Sequence, residues 1–506
     1  MPHADNWQIR IQHLLKPNPN ILLIWATFFA FYSSIAQDEI IQWSNPIEIP
    51  KSEEIIHYTL VEDSIPAIVT KYGESIIMRS FTNTNQDFPL FIRTDQDPHL
   101  VSYNLMGNKL FTLVSQGSDD QINYSLIAFE LSSTRAEKIM ELPIGNSINN
   151  NRELFFSASK NGDYLLLCQQ TAFEKQSKTS FSVFTAHDGM ADQVSLPSEF
   201  EGDDVTLLGA TIDDAGIVYF ATETGIKLNS PFRKKYLVYS YHPASKTLTE
   251  FDLTSSEFFI LDLVVTTTED GAAITCLFST DPLIEDKSTG YTFVKLNEDG
   301  LDIDTRLAGN FDQKMIALLG EDEGGSRSIK DLFLSKTLEA DGETWIAMEK
   351  RYKSRICTAD PHSGIMTCSD QYHFNAVAFE NVFNPSQSAI VNKRQIDYDT
   401  PGIFTKQAII AHNNAIYMFY NDHFKNIGSG HEYVMSNTNR SVIRFAKISG
   451  ASGLDNGVLS SERQTNFVFV PAFGIAQHQN YSFLLAADGK FFRVGKLDLI
   501  RLHGAE

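Results

Sequence analysis

Short runs rich in Val, Ile, Phe, Tyr and Thr alternate along the chain with Gly, Asn and Asp, and little of it sustains a helical period. That pattern predicts an almost wholly β protein. A recurring tight turn followed by an apolar strand is more specific: Met106-Gly107-Asn108, Asn161-Gly162-Asp163, Ala215-Gly216-Ile217, Asp270-Gly271-Ala272, Asp341-Gly342-Glu343, Asn413-Asn414-Ala415 and Asp488-Gly489-Lys490. From Gly107 onward these turns fall 55, 54, 55, 71, 72 and 75 residues apart. A weaker member is Glu62-Asp63, between Tyr58-Thr59-Leu60-Val61 and Pro66-Ala67-Ile68-Val69.

Most units carry a second hairpin between these turns, as at His187-Asp188-Gly189, Tyr241-His242-Pro243 and Glu298-Asp299-Gly300. Two hairpins give four strands. A four-stranded sheet cannot hide both faces alone, so such units must stack, and radial stacking gives a β-propeller. A set of β-sandwiches is the alternative with similar strand spacing. The turns predict an all-β fold: a single β-propeller of four-stranded blades, seven or eight in number. Seven results if the weak unit near Asp63 merges with the terminal one. The last unit is short of strands, and Trp43 to Ile49 is a candidate to supply one, pairing the two ends of the chain. The wider spacings after Gly271 predict insertions near 311–330, 371–398 and 421–440, where loops would gather binding function.

Ahead of the repeats, Ile21 to Ile35 form an apolar run that follows Arg10 and Lys16 and ends at Ser34-Ile35-Ala36. This reads as a signal peptide over 1–36, with the propeller over 37–506. As a helix the run would rise only about 22 Å, short of a bilayer core of roughly 30 Å. The expected location is therefore secreted or periplasmic, in the cell envelope of a Gram-negative bacterium, with no transmembrane segment after cleavage. The 506 residues carry 63 acidic against 41 basic side chains, a formal charge of −22, which argues against nucleic acid as a partner.

The chain has four cysteines. Cys357 and Cys368 flank the turn formers Asp360-Pro361 and Ser363-Gly364, which would place them opposite each other on paired strands and predicts a disulfide. Cys168 and Cys276 follow Gly162 and Gly271 at similar strand positions, two units apart, and are expected to be buried free thiols.

Ser159-Lys160-Asn161-Gly162-Asp163-Tyr164-Leu165-Leu166 resembles the Ser-Pro-Asp-Gly turn of TolB-like propeller repeats. Ala415-Ile416-Tyr417-Met418-Phe419-Tyr420-Asn421-Asp422, with Phe492-Arg493-Val494-Gly495-Lys496-Leu497, is similar to uncharacterised exported β-propeller-like proteins of Bacteroidota. That second resemblance covers the last hundred residues or so and implies no particular chemistry. Asp341-Gly342-Glu343-Thr344-Trp345 approaches a sialidase-type Asp-box, but Ala340 occupies the position the motif reserves for Asp, so a generic hairpin explains it better.

No motif fixes a reaction. Asp119-Asp120, Asp203-Asp204 and Asp213-Asp214 sit in or beside turns, where aspartates cap backbone amides. Asp299, Asp302 and Asp304 are the nearest approach to a calcium loop, yet they read as a solvent-facing strand, so no cofactor is expected, with calcium as the alternative. His412, His423 and His431 crowd the last insertion with Asp422, at spacings that match no compact metal motif. The candidate binding residues are Asn421, Asp422 and His423. The basic run Lys350-Arg351-Tyr352-Lys353-Ser354-Arg355 stands out on an acidic chain and reads as a wet outer strand. The functional expectation is a non-catalytic scaffold for a protein or glycan; the alternative is a carbohydrate-active enzyme, a glycoside hydrolase or lyase, with acids converging on the propeller axis.

Overall fold

The structure, a computed structural model, describes residues 41–503 apart from short internal stretches, the longest of which are 92–98, 143–153, 196–204, 226–233, 320–327 and 461–466. The expected signal peptide lies outside the described residues. The described chain forms seven four-stranded antiparallel sheets, one six-stranded sheet and one two-stranded ribbon. The four-stranded sheets span 54–91, 99–142, 154–195, 205–252, 259–310, 332–398 and 407–460, each with its strands in chain order from one edge to the other. The eighth sheet, 468–498, takes in Ile41–Trp43 and Ile47–Glu48 from the start of the chain.

Burial explains the order of strands within a sheet. All nine residues of Gly271–Ser279, the second strand of the fifth sheet, are buried, as are all nine of Ala415–His423 in the seventh. The fourth strand of the fifth sheet, Ile303–Asn310, alternates half-buried and exposed positions. Continuous apolar runs therefore mark strands covered on both faces, and alternation marks the outer strand.

Apolar cores lie between successive sheets from the second to the eighth. A further core joins Tyr58 and Ile68 of the first sheet to Phe483, Leu485 and Val494 of the eighth. Sheets stacked face to face in chain order, with the last against the first, make a propeller-like arrangement.

The repeated turns do the work expected of them. Gly162, Gly216, Gly271, Gly342 and Gly489 all have positive φ, and Asn413 takes a φ of 50° at a repeat that lacks glycine, while Gly107 lies outside the described residues. At Gly271 a Cβ would meet the carbonyl oxygen of Asn297 at 2.5 Å. The unit near Asp63 does not merge with the terminal one: 54–91 is a sheet of its own, although 62–64 lie outside the described residues. Ile41 pairs with Leu497, Trp43 with Gly495 and Ile47 with Phe492, so the Trp43 to Ile49 region does supply edge strands to the terminal sheet.

The expected insertions resolve differently from loops. Region 311–330 contains the helix Gln313–Leu319, whose Met315, Ile316 and Leu319 are buried against the core between the fifth and sixth sheets. Region 371–398 is corrected from a polar loop to strand: Met366–Asn381 and Ala389–Tyr398. The extra length belongs to strands of the sixth sheet, and several of its polar side chains, Glu380, Asn381, Lys393 and Gln395 among them, are buried there. Region 421–440 holds the end of Ala415–His423, the turn Phe424–Asn426 and Met435, which bridges to Gln395.

Candidate functional site

The first strands of the fourth to seventh sheets, with Lys160 from the turn after the first strand of the third and 471–477 from the eighth, converge on a cavity of about 730 Å³. Its wall includes Thr211, Thr266, Thr268, Thr337 and Gln407, and three lysines: Lys160, Lys336 and Lys406. Among the described residues of that wall Glu339 is the one carboxylate.

Each lysine is placed by a local device. Lys160 lies in a turn where Ser159 Oγ donates to Asn161 Oδ1 at 2.7 Å and accepts from the Tyr164 amide at 3.0 Å, while the Asn161 amide donates to Asp214 at 2.8 Å. Lys336 follows a bulge between Leu334 and Lys336, and the Leu334 amide donates to Asp262 of the neighbouring sheet at 2.8 Å. A bulge re-aims the side chains beside it. Lys336 Nζ reaches the Ile409 carbonyl at 3.4 Å, which ties the sixth sheet to the seventh. The side chain is open to the cavity but walled by protein, and this desolvation, followed by repulsion from Lys160, holds its ammonium below the usual lysine range. Lys406 rises from a turn at Gly402, where a Cβ would meet Lys406 Cγ at 2.9 Å and the Phe374 ring at 2.9 Å.

The residues singled out by sequence sit elsewhere. Asn421, Asp422 and His423 are 0%, 0% and 8% exposed, at the end of a covered strand. Asn421 Nδ2 donates to the carbonyls of Phe404 at 2.9 Å and Phe469 at 2.7 Å, which links the seventh and eighth sheets. Asp422 accepts from Asn426 Nδ2 at 2.8 Å and forms an ion pair with Arg444 at 2.9 Å. His423 Nδ1 accepts from the Lys425 amide at 3.2 Å. These contacts hold the turn after the strand. His412 pairs with Ala415, so His423 stands eight residues further along the same strand, roughly 26 Å away. That distance separates the two histidines, and His431 lies outside the described residues. Among the described residues no cluster of three His, Cys, Asp or Glu is arranged to hold a metal.

The turn acids behave as caps where described. Asp213 accepts from the amides of Ala215 at 3.0 Å and Ile217 at 2.8 Å, and from the Tyr219 hydroxyl at 2.9 Å. Burial nevertheless raises its carboxyl, with these donors pulling the other way. Asp119-Asp120, Asp203-Asp204 and Asp341 lie outside the described residues.

The basic run belongs to the longest hairpin, Glu343–Ala359 with Met366–Asn381. Its inner half is buried in the sixth sheet and its outer half stands exposed. Lys350 is the exception among the basic residues, being buried, with its ammonium donating to the Leu319 carbonyl. Lys353 pairs with Asp370 at 2.7 Å, and Arg355 approaches the same carboxylate at 3.7 Å. Cys357 lies directly opposite Cys368, with Cα atoms 4.0 Å apart and the sulfurs joined. Cys168 and Cys276 are buried free thiols, and burial pushes the Cys168 thiol up to about 12.

Sequence reasoning missed the three cavity lysines, because each is isolated in the chain and meets the others only across sheets. The available signal was Lys336, which with Glu339 puts two charged residues into the otherwise apolar and hydroxylic first strand Leu332–Ala340.

By sequence, no family model matches the chain and no curated protein matches it. Among solved structures, the chain is similar to Saccharomyces cerevisiae Sqt1, at 7% identity and TM-score 0.42, over 90% of this chain and 100% of that one. The WD40 domain of SCAP from fission yeast is similar at 8% identity and TM-score 0.38, over 91% and 95%. A prolyl endopeptidase is similar at 10% identity and TM-score 0.37, over 79% of this chain and 55% of that one, so the chain spans about half that enzyme's length. The propeller-like assignment rests on the sheets themselves.

Proposed function

We propose that the chain is an exported binding protein: one ring of eight blades, closed by its N-terminal strands, that receives a protein segment or glycan in the cavity at its inner strands. The observation that carries this reading is the cavity itself, walled by six sheets at the place where a propeller gathers side chains from separate blades. The enzyme alternative requires two carboxylates facing one bond. The described wall offers Glu339 alone, which favours binding over glycan hydrolysis. Secretion or a periplasmic location, in a Gram-negative envelope, belongs to the same proposal and is supported by the apolar run ending at Ala36.

The test is a thermal-shift panel of oligosaccharides and peptides against the exported chain and against Thr337→Trp, which fills the cavity. A ligand that raises the melting midpoint of the native protein and not of Thr337→Trp supports the reading. A ligand that stabilises both equally places the site elsewhere and refutes it. Turnover of any stabilising saccharide would shift the reading to an enzyme. N-terminal sequencing of the exported product should begin at Gln37.

A further inference from the structure

We propose that the cavity takes a short acidic peptide in extended form, its carboxylates received by Lys160, Lys336 and Lys406. The inference rests on the cavity being the ligand site and adds the chemical class of what enters it.

Charge is the first argument. The chain carries −22 overall, yet the described residues of the cavity wall hold three lysines and one carboxylate. The lysines come from the third, sixth and seventh sheets, so no local sequence feature forces them together. Converging like charges in a walled space is unfavourable in the empty protein. The repulsion that Lys160 exerts on Lys336 expresses that cost, and an entering anion would relieve it.

The remaining wall narrows the ligand class. Sugar rings present apolar C–H faces that suit aromatic side chains, and none of the residues on the described wall is aromatic. A peptide instead needs backbone partners and room for alternate side chains. Among the described residues the strand Gln407–His412 is the edge of the seventh sheet, paired with Ala415–His423, and residues 407–411 line the cavity, with the Ile409 carbonyl already reached by Lys336. Thr211, Thr337, Gln407 and Gln477 already bond to Ser157, Thr275, Lys393 and His412, and their remaining donor or acceptor capacity is what a peptide N–H or C=O group would meet. A volume of about 730 Å³ admits a few residues and no folded domain.

The experiment is fluorescence polarisation with the full exported chain and a labelled pentaglutamate peptide, with pentaglutamine, trigalacturonate and a neutral trisaccharide as competitors. Pentaglutamate is expected to bind, to be displaced by none of the three, and to weaken as salt rises. The double variant Lys336→Met/Lys406→Met should lose at least tenfold in affinity. Lys160→Met, in a turn at the surface, should lose affinity without a change in melting midpoint, which keeps the test valid if the double variant folds poorly. Absence of pentaglutamate binding, or binding indifferent to all three lysines, overturns the proposal. Displacement by trigalacturonate at equal potency overturns the peptide assignment in favour of an acidic glycan. A neutral ligand blocked by Thr337→Trp but untouched by the lysine variants would leave the cavity as the binding site and refute its preference for acids.

Discussion

Among the described residues Lys393 is the most deeply enclosed cation, with a side chain fully removed from water. Its ammonium donates to Glu349 at 3.2 Å and to Gln407 Oε1, and lies 5.4 Å from the centre of the Phe374 ring. Burial draws the lysine below its usual range while Glu349 opposes that shift. Removing one partner strands a buried charge, so Lys393→Met is expected to cost about 3–5 kcal/mol in denaturant melts. The double change Lys393→Met/Glu349→Leu should recover most of that loss, because an apolar pair of similar volume has no desolvation to offset. Glu380 gives a pH signature. It is 2% exposed, one of its oxygens has no hydrogen-bond partner, and burial followed by repulsion from Asp312 raises its carboxyl from 4.5 to about 8. A folded-state value above the unfolded one adds stability that is complete below pH 4.5 and lost as pH climbs through about 8. Glu380→Gln should therefore melt higher than the native protein at pH 8.5 and no higher at pH 4, read as midpoints across that window. At Gly402 the φ of 83° and the contact with Lys406 act together. Gly402→Ala should weaken pentaglutamate binding several-fold by displacing that lysine.

Among the elements, the second strands and their turns were legible in the sequence because their apolar runs and glycines are local facts. Gly162, Gly216 and Gly271 announce left-handed turns whatever surrounds them. The first strands were less legible. Five of them carry a one-residue register shift, at Ile55/His57, Leu100/Ser102, Leu207/Gly209, Ile260/Asp262 and Leu334/Lys336. Such a bulge depends on the partner strand and leaves no fixed residue type behind. The cavity lysines were hidden for the same reason, since their meeting is a property of three sheets. Asn421 and Asp422 misled in the opposite direction: polar residues after an apolar strand suggested a loop, whereas burial with Phe469, Asn426 and Arg444 as partners makes them internal ties. The Cys357–Cys368 pair was legible from its turn formers, and its place on the exposed half of the long hairpin limits what it stabilises. Reduction is expected to open the outer hairpin to limited proteolysis between Arg351 and Phe374 while the midpoint of global melting moves by only a few degrees. A collapse of the whole fold on reduction would show that the hairpin supports the sheets.

At the scale of the whole molecule, the proposed ring closure turns on the joint between the two ends of the chain. Ile41 is 4% exposed and belongs to the core between the seventh and eighth sheets, while Ile49 is 3% exposed and belongs to the core between the eighth and the first. Burial of two isoleucines is worth about 1.5–3 kcal/mol each. Trp43 adds a contact with the Arg493 guanidinium 4.2 Å above its ring, and the Val494 amide donates to Ser44 at 3.0 Å. Without residues 41–49 the strand Phe491–Asp498 would present a free edge, a template for pairing with another chain. Deletion of that segment should lower the melting midpoint by 10 °C or more and produce concentration-dependent association in sedimentation. Gly495→Val attacks the same joint with the segment present, because a Cβ there would meet Ile41 and Trp43 at 2.8 Å. The decisive measurement adds a synthetic peptide of residues 38–52 to the truncated chain. If the N-terminal strands complete the eighth sheet, the peptide restores the midpoint and suppresses association, and it does neither for Gly495→Val carrying the same truncation. A truncated chain that melts like the native one would mean that the eighth sheet holds against its neighbours without its N-terminal strands, and the proposed closure would fall.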